Sequence, residues 1–257
     1  MSDSHGKFVW YELMTTDMVA AEVFYREVVG WNAKDAGMTD MKYLMFTAGD
    51  LPVAGLMLLP DAAKAMGMPP AWIGYIHVDD VDTTAADLVS AGGVVHRPAE
   101  DIPGVGRFSI VADPHGAVFS IFKSSMTEPP PPVAMDTPAH VGWHELYAGN
   151  GAAAFAFYSD LFGWTKDQAL DMGPAGIYQL FAHNGQAIGG MMTKPPEMPM
   201  PGWAFYFNVP SIDAAVERVK LSGGKVLNGP MEVPGGSWII QCTDPQGALF
   251  ALAAPAR

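Results

Sequence analysis

Residues 8–15, FVWYELMT, alternate with the two-residue period of a strand. Trp10, Glu12 and Met14 share one face, and Tyr11, Leu13 and Thr15 share the other. Neither face is plainly polar, yet a carboxylate stands in the middle of one. The pattern then turns helical over 17–29, with Asp17 placed to cap the start and Gly30 to end it. Short strands follow near 32–37, 42–48 and 52–59. The order then repeats. It runs through a strand at 72–79, a helix at 81–91 closed by Gly92 and Gly93, and strands near 94–97, 107–112 and 117–123. DPHG at 113–116 is a turn between the last two. Each run is βαβββ.

The whole pattern is then written a second time. WYEL at 10–13 matches WHEL at 143–146, and FYREVVGW at 24–31 matches FYSDLFGW at 157–164. YLMF at 43–46 echoes YQLF at 178–181, and PAWIGYIHVDDVD at 70–82 matches PGWAFYFNVPSID at 201–213. DPHGAVF at 113–119 matches DPQGALF at 244–250. The offset stays between 131 and 135, and it changes only where loops are expected. Two homologous domains, 1–123 and 140–257, are expected, joined by a Pro-rich linker at 124–139. Its prolines, Pro129 to Pro132, favour extended polyproline II.

Hydrophobic residues make up 49% of the chain and charged residues 16%, ample for a packed core. Acidic residues outnumber basic ones by 27 to 14, a net charge of −13. That balance argues against nucleic acid or an anionic membrane surface as partner. Cys242 is the one cysteine, so no internal disulfide is possible, and a reducing, cytoplasmic setting is expected. No apolar run has the length of a membrane helix, and the first residues lack the pattern of a signal peptide.

Four βαβββ modules, FY…VGW closing the first helix, VDDVD opening the second and DPxG before the last strand resemble the vicinal oxygen chelate superfamily. That group includes glyoxalases, bleomycin-resistance proteins and extradiol dioxygenases. The resemblance covers about 8–123 and 140–253. It implies an α+β fold of two tandem glyoxalase-like domains with cup-shaped mixed sheets, and a divalent metal at the base of each cup. By motif, the family's metal-ligand positions fall on Trp10 and Trp143, on Ile73 and Ala204, and on Ser120 and Ala251, with the fourth-strand position near Gly55 and Gly190. A divalent ion needs three or four converging N, O⁻ or S⁻ donors, which these residues do not supply. The usual metal site is therefore expected to be lost, and no cofactor is expected.

By strand parity Glu12 shares the face of Trp10, and Tyr75 and His77 share that of Ile73. The second copy supplies Trp143, Glu145, Tyr206 and Asn208. These eight residues are the candidate ligand contacts, with Glu12, His77 and Glu145 as candidate acid–base groups. Both glutamates also suit a structural role, accepting hydrogen bonds that fix module pairing, and a satisfied core histidine is the plainer reading of His77. Arg107 suits either a carboxylate clamp or a surface ion pair, His115 an exposed turn, and Cys242 the core. Three functions remain open. The first is metal-free binding of a small amphipathic organic molecule. The second is an enzyme, lactoylglutathione-lyase-like or dioxygenase-like, using Glu12 as base or a divalent ion held by unusual ligands such as Glu12 and His77. The third is a protein-interaction module. Both a monomer with an internal pseudo-dimer and a homodimer fit the repeat.

Overall fold

The computed structural model describes residues 2–39, 41–126 and 133–257, so the proline run 129–132 lies outside the described residues. The first module is β1 (Phe8–Thr15), α1 (Met18–Val29), β2 (Asn32–Asp35), β3 (Tyr43–Ala48) and β4 (Leu51–Leu58). A short helix α2 (Asp61–Ala65) leads to the second: β5 (Ala71–His77), α3 (Val81–Ser90), β6 (Val94–Ile102), β7 (Gly106–Ala112) and β8 (Val118–Ser124). The third holds β9 (Val141–Ala148), α4 (Gly151–Phe162), β10 (Thr165–Asp171), β11 (Ile177–His183) and β12 (Gln186–Thr193). The fourth holds β13 (Gly202–Asn208), α5 (Ile212–Leu221), β14 (Lys225–Glu232), β15 (Trp238–Thr243) and β16 (Leu249–Ala254). The fold is α+β, with four βαβββ modules in two eight-stranded mixed sheets. Their strand orders are β2-β3-β4-β1-β5-β8-β7-β6 and β10-β11-β12-β9-β13-β16-β15-β14. Within each module the first and last strands run parallel and the hairpins antiparallel.

The local signals act where they stand. Asp17 accepts from the Ala20 N–H at 3.0 Å, and Gly30 ends α1 at φ 91°, a left-handed backbone that suits glycine. Strand β6 runs to Ile102, past the expected end near 97. Pro98 stands where the β6–β7 register is irregular, shifting between Val95 and Arg97 and again between Arg97 and Glu100. A proline is tolerated in such irregular pairing because no ladder N–H is needed there.

Packing groups the modules in two compact units, each drawing one module from either half of the repeat. The first unit comprises Met1–Val9, Gly74–Pro132 and His144–Trp203. The second comprises Trp10–Ile73, Val133–Trp143 and Ala204–Arg257. In the second unit Tyr25 of α1 is fully buried among Trp31, Phe46, Trp72 and Phe250, with ring centroids 5.2–5.9 Å away. Its hydroxyl accepts from Trp72 Nε1 at 2.8 Å and donates to Asp244 Oδ2 at 3.1 Å. The first unit repeats the design. Tyr158 of α4 packs on Phe119, Trp164 and Trp203 and donates to Asp113 Oδ2 at 3.3 Å. Each aspartate accepts with its other oxygen from two backbone N–H groups, one in its own DPxG turn and one on the residue just after it. The FY, GW, PxW and DPxG motifs are therefore parts of one polar-centred aromatic cluster, built twice. Trp164 and Trp31 each reach one carbonyl more, Gly6 O and Ala139 O respectively, both at 2.7 Å.

Candidate functional site

In the second unit β1 presents Trp10 and Glu12 on one face, as period-two alternation requires. Glu12 is only 6% exposed and lies in register with Gly55 of the parallel neighbour β4. Tyr43, in register with Met57, leans diagonally across Gly55. Trp10 Nε1 donates to the Tyr43 hydroxyl at 3.1 Å, and that hydroxyl donates to Glu12 Oε2 at 2.9 Å. Burial, then the nearby Glu12 charge, pushes the Tyr43 phenol above its ordinary pKa. Tyr43 thus stays protonated at neutral pH and serves as a donor to the carboxylate.

The first unit brings the matching glutamate, glycine and tyrosine together. Glu145, also 6% exposed, is in register with Gly190, and the Tyr178 ring lies over that glycine. Trp143, which belongs to the second unit, is half-buried on β9. Neither tyrosine was singled out from sequence. The signal available was the Tyr43–Tyr178 and Gly55–Gly190 matches, which share one offset of 135.

The other expected residues are placed as follows. Tyr75 is buried on β5 with Phe108 and Phe122 at 6.4 and 6.2 Å, in register with Ser120. Ser120 Oγ donates to Ser109 O at 3.1 Å. Tyr206, in register with Ala251, accepts from Gln241 Nε2 at 2.9 Å. Ile73, Ala204 and Ala251 are buried apolar positions. Asn208 lies at the end of β13, and its amide donates to Met135 O at 2.6 Å and Thr137 O at 2.9 Å, pinning the segment that enters β9. His77 holds the matching place at the end of β5, and its backbone pairs with Gly6 and Lys7. Among the described residues the buried His77 Nδ1 has no hydrogen-bond partner. Burial lowers the His77 pKa, against the charge of Asp79. Among the described residues no three His, Cys, Asp or Glu side chains come together as a metal site would require.

Of the lesser candidates, Arg107 forms ion pairs, bidentate to Asp82 at 2.8 Å and single to Asp101 at 3.0 Å. His115 is exposed and Cys242 is fully buried, its thiol pushed up to about 12 by burial. A cleft of about 320 Å³ in the first unit lies between α3 and α4, lined by His5, Asp79, Asp87 and Asp160 among others. None of the expected site residues lines it.

His144, on the face opposite Glu145, is buried, stacked on Phe8 at 4.0 Å and bonded through Nδ1 to Ile188 O at 2.6 Å. Burial lowers its pKa from 6.5 to about 4. The unfolded chain therefore binds a proton first as pH falls, and stability should decline from about pH 6.5 down to about 4. The loss from this group is on the order of 3 kcal/mol. Urea unfolding at pH 7, 5.5 and 4 should show a shallower decline for His144→Phe than for the wild-type chain; parallel declines would remove His144 as the cause.

The family model described as the Glyoxalase/Bleomycin resistance protein/Dioxygenase superfamily matches residues 7–121 and 137–252. The chain belongs to this superfamily. Among its superfamily relatives is CFP32 of Mycobacterium tuberculosis, named as a candidate glyoxylase, 33% identical over 96% of this chain and 94% of its own length. Another is the anthracycline biosynthesis protein DnrV of Streptomyces peucetius, 29% identical over 96% of this chain and 92% of its own. The fold is shared with the Mn(II)-bound glyoxalase from Novosphingobium aromaticivorans, at TM-score 0.67 and 17% identity, covering 98% of this chain and 82% of that one. It is shared too with the 2,3-dioxygenase LapB from Pseudomonas sp. KL28, at TM-score 0.67 and 15% identity, covering 98% and 93%. No helix among the described residues is long and apolar enough to cross a membrane.

Proposed function

We propose that this superfamily member binds a small amphipathic organic molecule without a divalent ion, through Trp10, Tyr43 and Glu12 in the second unit and through Tyr178 and Glu145 in the first. The observation that carries the reading is the use made of the family's metal-ligand positions. In the second unit the Trp10 N–H donates to Tyr43, Gly55 lies under the Tyr43 ring, and Ile73 is hydrocarbon. Such a set cannot converge on a divalent cation, which needs several anionic or lone-pair donors. What it offers is aromatic surface beside a buried carboxylate, the make-up of an organic-ligand site. The relation to a protein of anthracycline biosynthesis supports a ring-bearing ligand.

A second reading, glyoxalase-like proton transfer with Glu12 as base, is supported by the relation to CFP32 and by the burial of that carboxylate. Thermal-shift screening against aromatic metabolites, antibiotics and glutathione adducts should find a stabilising compound. Saturation at about a hundred times Kd adds roughly 2.7 kcal/mol. Glu12→Gln should weaken that compound about 10- to 100-fold, the worth of a hydrogen bond to a charged group. Consumption of a glutathione adduct, abolished by Glu12→Gln, would favour the enzyme. One equivalent of metal in protein purified without chelator, lost in Glu12→Ala, would sink the metal-free reading.

A further inference from the structure

We propose that Gly55 and Gly190 are specificity-determining positions. By lacking a side chain they seat Tyr43 and Tyr178 across the family's fourth-strand ligand position, so each site shows its ligand a phenol beside a carboxylate in place of a metal-coordinating side chain. The inference deepens the metal-free reading above and rests on it.

The clearance is decisive. A Cβ at Gly55 would stand 1.8 Å from the Tyr43 hydroxyl, 2.5 Å from its Cζ and 3.2 Å from Trp10 Nε1. A Cβ at Gly190 would stand 2.2 Å from Tyr178 Cζ and 2.4 Å from Cε1. Neither glycine is needed for a left-handed backbone, since both lie within strands that run extended. Glycine inside a strand weakens it, because it packs nothing and loses more chain entropy on folding. Its presence at the same place in both copies is accounted for by the ring above it. In the first copy the consequence can be followed atom by atom: the seated phenol takes the Trp10 N–H and gives its own proton to Glu12. Glycine at this one position therefore fixes the orientation of three side chains.

This arrangement selects a class of ligand. A molecule that binds by chelation through two adjacent oxygens finds no ion to hold it. A molecule with an aromatic face and an N–H or O–H group finds a ring to lie on and an anionic acceptor already oriented.

The test is a double-mutant cycle on the full chain. Gly55→Ala alone should lower the melting temperature sharply, or prevent folding. On a Tyr43→Ala background the same Gly55→Ala change should have almost no effect, because the clashing ring is gone. In 15N spectra of the indole N–H groups, the Trp10 signal is the one missing in Trp10→Phe. Tyr43→Phe should shift that signal and leave those of the other six tryptophans in place. An equal cost of Gly55→Ala with and without the tyrosine ring would overturn the proposal, as would a Trp10 signal unmoved by Tyr43→Phe. Stoichiometric uptake of Mn(II) or Ni(II), titrated alone, would overturn both this and the metal-free reading. A compound screen without hits would count against the binding reading and leave the outcome of the cycle standing.

Discussion

Replacing Asp244 with alanine is expected to destabilise the chain by about 3–5 kcal/mol. Asp244 is 3% exposed and serves three donors. Its Oδ1 accepts from Gln246 N and Ala248 N, both at 2.9 Å, and its Oδ2 accepts from Tyr25, which itself holds Trp72 Nε1. Alanine leaves two backbone N–H groups and the Tyr25 O–H without an acceptor in a largely buried site, and each costs about 1–3 kcal/mol. Asp244→Asn should recover most of the loss. Its carbonyl oxygen replaces Oδ1, and its amide can donate to the Tyr25 oxygen. The pH dependence sharpens the test. Burial raises the Asp244 pKa, against the hydrogen bonds that lower it. A carboxyl whose folded pKa lies above its unfolded value favours folding most in acid, and that contribution is lost as pH rises through the raised value. Asp244→Asn should remove this loss. Denaturant midpoints for the three proteins between pH 3.5 and 7 decide it; alanine and asparagine variants of equal stability would refute the assignment.

Trp164→Ala is expected to destabilise by a similar amount, about 3–5 kcal/mol, the range for deleting a buried large aromatic. For a chain of this size that lowers the melting temperature by roughly 10 °C. Trp164 is 1% exposed, stacked on Phe181 at 4.4 Å and on Tyr158 at 5.5 Å. Its N–H also holds Gly6 O at 2.7 Å. The N-terminal segment is tied down further by His5 Nε2 at Leu161 O, His183 Nε2 at His5 O and Asn184 Nδ2 at Asp3 O. Trp164→Phe keeps the stacking and gives up the hydrogen bond, so its cost should be about 1 kcal/mol. Hydrogen exchange should then quicken over residues 2–7 in both variants, and a slow N-terminus in Trp164→Phe would show that the indole N–H does not hold it.

The modules were legible because each carries its own punctuation. Asp17 caps, Gly30 stops, DPxG turns, and strand parity correctly put Glu12 with Trp10. Contacts made across strands left weaker marks. Tyr43 meets Glu12 only because a glycine on a third strand lets its ring lean over, and no period within β3 encodes that. The parity argument also put His77 and Asn208 beside Tyr75 and Tyr206. Both stand where a strand ends, and there the chain entering the neighbouring strand comes within reach, as the Asn208 amide shows. Strand β6 outran its expected end because a bulge accommodates Pro98. The grouping of modules into packed units was not readable, since a linker rich in proline permits more than one arrangement.

That grouping has a consequence for the order in which the molecule can be made. Tyr25 lies 219 residues before the aspartate it needs. As the chain leaves the ribosome, the second unit cannot close until Ala204–Arg257 has emerged, although its opening module precedes the other three. The first unit, completed by Trp203, is the earlier to find its partners. Until Ala204–Arg257 emerges, Phe24 and Tyr25 of α1 lack Phe250 and Asp244, which leaves that face open to chaperones or to a neighbouring nascent chain.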